Sequence, residues 1–333
     1  MNRLRPVILA QSGSTNEARS IKVQKREYHE VIVKRWRHTV RAVSVCLVCA
    51  AFLARADDGF SSGLVTVPVH VTGTHDAPLS GLTIQDFHLF EDGVEQKILS
   101  VSEHAPVSVA LVVDASGSIA HRWHVFQEAI KTFLSTTGTG DELALITVSD
   151  KPHLATPLTV DAARIFREVT ATRPLGRTAL WDGIAMALDR MKSARNPAKA
   201  LVVFTDGGEN CSELSYREIR RRLLASDTEL VIADWSGYQG GHLETPDSVE
   251  DLLQFLAGET GGQMWRGFTA RDLLESAQVV GAELHSQYLL SYSPLNHAAD
   301  KKYRHIKLQL TVPAERGKLK AAWRHGYYAL TAR

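Results

Sequence analysis

Three oxygen-bearing side chains stand at alternate positions in "DASGS", namely Asp114, Ser116 and Ser118, and two more follow at a distance, Thr178 in "GRTAL" and Asp206 in "FTDGG". Two carboxylates and three hydroxyls, with no thiol or imidazole among them, form an all-oxygen set. Such a set suits a hard divalent cation: Mg²⁺ prefers an octahedron of oxygens and completes its shell with water or a ligand's oxygen, whereas a soft metal needs thiolate or imidazole. Neutral hydroxyls leave the ion electron-poor, so that an incoming carboxylate would bind strongly in a partly desolvated cleft. The same residues have a plainer reading. Ser and Thr ahead of an apolar-periodic segment cap helices, and an Asp before Gly-Gly serves a turn. Spacing alone leaves both open.

These side chains can meet only if the elements between them bring them together. Val109–Val113 is a continuous apolar run, the pattern of a strand covered on both faces of a parallel sheet, and it stops at Asp114. "ALVVFTDGG" is a second such strand ending in an aspartate. Between and after them, strands over 108–114, 142–149, 153–158, 200–208, 229–235 and 263–268 alternate with helices over about 121–135, 161–171, 178–194, 216–225, 248–258 and 270–286. That rhythm predicts a doubly wound, mostly parallel α/β sheet with helices on both faces. In such sheets ligands bind outside the carboxyl ends of strands, near the point where strand order reverses. The flanks read differently. "LVTVPVHVTG" alternates, "FHLFEDGVEQKILSVSE" is a hairpin about Asp92-Gly93, and "QYLLSYSP", "YRHIKLQLTV" and "WRHGYYAL" are strand-like. The organisation predicted is therefore a β-rich flank over 57–104, an α/β domain over 105–286 and a second β-rich flank over 287–333, the two flanks pairing in space; two separate β appendages fit the same pattern.

Residues 1–56 carry a different message. "KRWRHTVR" is a basic stretch, "AVSVCLVCAAFLA" a short apolar core, and "ARA" before Asp57 a small-x-small cleavage site, together an export signal behind an N-terminal extension. The apolar core is too short for a bilayer, which takes roughly 20 residues. The long preface suggests that translation starts at Val31 or Val33, and neither Cys46 nor Cys49 has the small residue that precedes a lipidated cysteine. That segment holds eleven Lys/Arg and three Glu, so the remainder carries 27 basic against 34 acidic residues, a balance that argues against a nucleic-acid partner. It also leaves Cys211 as the single cysteine, with no intrachain disulfide available. The expected location is exported, periplasmic or secreted, with no stable membrane span once the signal is removed.

"DASGS", then "GRTAL", then "FTDGG" resemble the metal-ion-dependent adhesion site of von Willebrand factor type A domains, and the resemblance covers roughly residues 105–286. It implies a Rossmann-like α/β fold, Mg²⁺ (or Mn²⁺) held by Asp114, Ser116, Ser118, Thr178 and Asp206, and a protein partner whose acidic side chain completes the coordination. The flanks resemble exported bacterial proteins that carry this domain, a group described for acidobacteria among others. Asp182, one helical turn beyond Thr178, and Glu209 either support that shell or are solvated acids.

Other candidates are poorer. His121 and His124 lack a third ligand nearby, Cys211 has no accompanying Cys/His/Asn pattern, "REIRRRLL" is the solvated face of a helix, and "GTGDE" lacks a strand-then-helix context. A metal-dependent hydrolase using Asp114 as nucleophile would need a second carboxylate as general acid where Ser116 stands. The reading is thus a non-enzymatic binding module, with a hydrolase or a structural module whose β flanks do the interacting as alternatives.

Overall fold

Alternating valines lay down the first strand, β1 (Val65–Thr72), and Val65, Val67, Val69 and Val71 all turn into one core. β2 (Phe87–Glu91) and β3 (Val94–Gln96) follow as an antiparallel hairpin. Its turn holds Asp92 at φ 49° and Gly93 at φ 85°, the two left-handed residues of a type I′ connection. β4 (Ile98–Glu103) ends this flank. The computed structural model describes residues 63–73, 77–235, 248–311 and 318–329; the expected extension and export signal over 1–56, with Cys46 and Cys49, lie outside the described residues.

From Val107 the covering of the strands changes. β5 (Val107–Asp114) is buried at every position. A 3-10 turn over Gly117–Arg122 leads into α1 (Trp123–Leu134), then β6 (Glu142–Val148), β7 (Pro152–Thr159), α2 (Ala162–Ala171) and α3 (Leu180–Met191). β8 (Ala198–Thr205), α4 (Tyr216–Ala225), β9 (Glu229–Asp234), α5 (Val249–Thr260), β10 (Met264–Arg266) and α6 (Ala270–His285) complete the unit. The strands form one six-stranded sheet in the order β10-β9-β8-β5-β6-β7. All neighbours are parallel except β7, which runs antiparallel to β6. Its two faces build two cores. Val109, Leu111 and Val113 meet Phe126 of α1, Ile165 of α2 and Leu273 of α6, while Ala110 and Val112 meet Ile184 of α3, Leu223 of α4 and Leu253 of α5. This double covering is why β5 reads as an unbroken apolar run.

The chain then returns to β structure with β11 (Tyr288–Tyr292), β12 (Tyr303–Leu310), β13 (Lys320–Trp323) and β14 (Gly326–Tyr328). N- and C-terminal strands interleave in two four-stranded sheets, β13-β1-β11-β4 and β14-β12-β2-β3. The expected fold class, a mostly parallel α/β sheet flanked by antiparallel strands, is the one observed. Between the β sheets the Tyr292 and Tyr327 hydroxyls both donate to Glu91 Oε2, at 2.6 and 2.8 Å, which satisfies a buried carboxylate. The flank also touches the α/β unit directly. His70 Nε2 lies 2.8 Å from Glu229 Oε1, and Arg324 Nη2 donates to Ser226 O at 2.8 Å. Gly261 caps α5 at φ 91°, where a Cβ would lie 2.6 Å from Arg324 N, so only glycine lets the helix end sit on the backbone between β13 and β14.

Candidate functional site

Strand order fixes where a ligand can sit. From β5 the chain proceeds outward through β6 and β7, then crosses back to β8 on the other side of β5 and proceeds through β9 and β10. The crevice at the carboxyl ends of β5 and β8 is therefore the reversal point of the sheet. Asp114 ends β5, and Asp206 immediately follows β8.

The five predicted residues converge there. Asp114 Oδ1 accepts from Ser116 N at 2.9 Å, and its Oδ2 accepts from Thr205 Oγ1 at 3.1 Å. Ser116 Oγ lies 2.9 Å from Ser118 Oγ. The loop carrying Thr178 is strapped to this turn: Gly117 N donates to Gly176 O at 2.9 Å, and Leu175 N to Ala115 O at 2.9 Å. Thr178 and Asp206 meet across Gly208, on which a Cβ would lie 3.0 Å from Thr178 Oγ1 and 3.5 Å from Asp206 Oδ1. That glycine leaves a cradle that any side chain would fill. Asp114, Ser116, Thr178 and Asp206 are all buried.

The hydroxyls are not spent on capping. Ser116 stands at the N-cap of the 3-10 turn without a side-chain cap hydrogen bond, and α3 begins after Thr178 with Ala179 as its uncapped N-cap. At four other helix starts the side chains of Asp161, Ser215, Ser248 and Thr269 do accept the capping amide. The predicted helix over 178–194 thus starts two residues late, at Leu180, which leaves Thr178 in the loop over the crevice.

Burial pushes the Asp114 carboxyl above the usual carboxylate range, and the nearby Asp206 charge pushes the same way, against hydrogen bonds from Ser116 and Thr205. Two buried acids that repel each other beside one arginine leave room for a cation to offset the remaining negative charge. Among the described residues no three His, Cys, Asp or Glu side chains gather as a metal cluster; the candidate set has two carboxylates, and its other donors are hydroxyls. An all-oxygen set of that kind fits Mg²⁺ or Mn²⁺.

Other acids near the crevice have structural employment. Glu209 Oε2 accepts from Trp181 N at 2.9 Å and from Ser212 Oγ at 2.7 Å, and the Asp182 oxygens accept from Glu213 N and Leu214 N at 2.9 and 3.0 Å. Both fasten the loop after β8 to the start of α3. His121 and His124 are exposed. Burial pushes the Cys211 thiol up, away from a reactive thiolate.

Two charged residues escaped the sequence reading. Asp234 ends β9, fully buried, and Arg266 Nε donates to its Oδ2 at 3.2 Å; "IADW" was a third strand ending in aspartate that could have signalled it. Arg122 closes the 3-10 turn only 6% exposed, its Nη2 3.7 Å from Asp206 Oδ2 and its guanidinium carbon 4.8 Å from the centre of the Trp235 ring. No motif signals it.

Residues 109–209 match the family model of the von Willebrand factor type A domain. No curated protein matches the chain. Among solved structures, the chain is similar to the vWF domain of the type V pili tip protein Mfa5 from Porphyromonas gingivalis, with 24% identity, 32% of this chain and 39% of that one covered, and a TM-score of 0.29. An aerotolerance-related membrane protein from Bacteroides fragilis shares 18% identity over 54% of this chain and 98% of that one, with a TM-score of 0.44. A von Willebrand factor type A protein from Catenulispora acidiphila shares 13% identity over 81% and 74%, with a TM-score of 0.44. The matched region spans less than half of the Mfa5 domain.

Proposed function

With a von Willebrand factor type A domain at its centre, the chain is, we propose, an exported, non-enzymatic binding module that holds Mg²⁺ or Mn²⁺ through Asp114, Ser116, Ser118, Thr178 and Asp206 and captures an acidic side chain of a partner protein. The observation that carries this reading is the uncapped pair of helix starts. Hydroxyls that elsewhere in the chain would cap helices are gathered instead with two buried carboxylates around a glycine cradle. A divalent ion there supplies a Lewis-acidic point charge for a carboxylate. The residues supply its orientation: Thr205 and the Ser116 amide fix Asp114, while Gly176 and Gly117 lock the Thr178 loop over it.

Leu175, held beside the same turn, is 76% exposed, an apolar rim that suits a folded protein partner better than a free small acid. Both Asp114 oxygens accept hydrogen bonds and Ser116 replaces a general acid, which supports binding over hydrolysis. Export rests on the basic and apolar stretches over 34–54; among the described residues no helix is long and apolar enough to cross a membrane.

Thermal unfolding of the chain with and without Mn²⁺, alongside Asp114→Ala, tests the site. At one hundred times its dissociation constant the ion should stabilise the fold by about 2.7 kcal/mol, a rise in Tm of about 4 °C for a chain of this size. The rise is expected in the parent and not in Asp114→Ala. A parent that ignores the ion removes the metal reading and moves the search to the β flanks.

A further inference from the structure

Arg122 is an expensive residue in an awkward place. It stands at the N-cap of α1, where the helix dipole is already positive, and it is only 6% exposed, so its charge has lost most of its water. What offsets this is specific. The face of Trp235 lies 4.8 Å from the guanidinium carbon, and Asp206 Oδ2 lies 3.7 Å from Nη2. That separation is a pairing of charges and too long for a hydrogen bond. Trp235 is itself fixed, its amide donating to Thr205 O at 2.9 Å and its ring packing on Phe126. The cation is therefore held at the same edge of the sheet as the two acids, by the residue that follows β9 and by Asp206 after β8.

We infer that Arg122 is a resident counter-charge that leaves the ion-loaded site electropositive, so that an anionic ligand is required to neutralise it. The inference rests on the cation site proposed above. Asp114, Asp206 and Arg122 together carry a formal single negative charge; a divalent ion turns this into a single positive charge, and one external carboxylate brings it to zero. Without Arg122 the loaded site is already neutral and gains little from an anion. Arg122 thus opposes the metal and favours the metal's ligand, and its removal should move the two affinities in opposite directions.

The test is calorimetric titration of Mn²⁺ into the parent, Arg122→Met and Arg122→Lys, each checked for folding by circular dichroism. A unit charge this close, at an effective dielectric of about 20, corresponds to a change in affinity of tenfold or more. Arg122→Met is expected to bind Mn²⁺ at least about tenfold more tightly than the parent, and Arg122→Lys to resemble the parent. Equal or weaker binding by a folded Arg122→Met overturns the inference. A second measurement compares sodium acetate with sodium chloride at equal ionic strength and equal free Mn²⁺. Acetate should tighten Mn²⁺ binding by the parent and not by Arg122→Met; if Arg122→Met does not fold, absence of that gain in the parent overturns the inference by itself. Failure of all three proteins to bind Mn²⁺ is a different result, since it overturns the cation site, whereas equal binding by all three overturns only the role of Arg122.

Discussion

At the crevice a single hydrogen atom keeps the space between two oxygen groups open. Gly208 puts no side chain between Thr178 Oγ1 and Asp206 Oδ1, and a methyl there would lie 3.0 and 3.5 Å from them. No left-handed backbone angle demands glycine at this position, so Gly208→Ala should fold. Its expected phenotype is selective: a metal-free Tm within about 2 °C of the parent, in the range of an ordinary surface substitution, with most of the Mn²⁺-induced rise lost. A paired melt with and without the ion checks this, and an unchanged ion response would show that the cradle is not where the ion sits. Asp114 and Asp206 were legible in the sequence because each ends an apolar strand run, whereas Ser116, Ser118 and Thr178 read equally well as helix caps until the order of all five resembled an adhesion site. Arg122 was not legible, since nothing in "SIAHRW" tells that its side chain reaches Asp206 and Trp235, which directly follow β8 and β9. Asp182 and Glu209 were ambiguous for a related reason: their partners are backbone amides of a loop whose path is set by tertiary packing.

Among the elements, α3 fits closely against the sheet. Gly183 faces β5 and β6 so closely that a Cβ would run into Val148 Cγ2 and come 3.4 Å from Val112 Cγ1. Helix propensity favours alanine over glycine by about 1 kcal/mol, whereas forcing a methyl into a packed core costs about 1–3 kcal/mol. Packing wins, so Gly183→Ala should lose roughly 1 kcal/mol net, measurable as a lower denaturant midpoint at unchanged slope. A rise in the midpoint would mean that α3 can lift from the sheet, and with it Thr178. Element type and order were readable throughout the α/β unit because its apolar runs and helical periods are long. Helix starts were less readable: the helix expected from about His121 is a 3-10 turn from Gly117 followed by α1 from Trp123. The interleaving of β1 with β11 and β13, and of β2 with β12, depends on contacts more than two hundred residues apart that no local pattern encodes.

On the scale of the molecule, the β flank and the α/β unit are joined through a buried charge pair. His70 on β1 and Glu229 at the start of β9 are 7% and 2% exposed and 2.8 Å apart. Burial alone would lower the histidine, but the Glu229 carboxylate, by charge and hydrogen bond, with Glu283 adding to it, outweighs burial and raises His70 to about 9. An unfolded histidine titrates near 6.5. The folded state therefore holds the proton more tightly than the unfolded one. Its contribution is whole below about pH 6.5 and is lost as pH rises through about 9, a change on the order of 3 kcal/mol. Urea unfolding from pH 6 to 9.5 should show stability falling across that window in the parent and a much flatter profile in His70→Gln, which keeps a hydrogen-bond donor but no titrating charge. The sign separates the pair from ordinary carboxylate chemistry, whose losses come on the acid side. If the flank were merely attached, the Trp323 part of the tryptophan fluorescence would change at lower urea than far-ultraviolet dichroism, which the helices of the α/β unit dominate, as the pH rises. With the pair coupling the two parts, both probes should move together at every pH, and their separation in His70→Gln alone would identify this contact as what makes the flank and the α/β unit unfold as one.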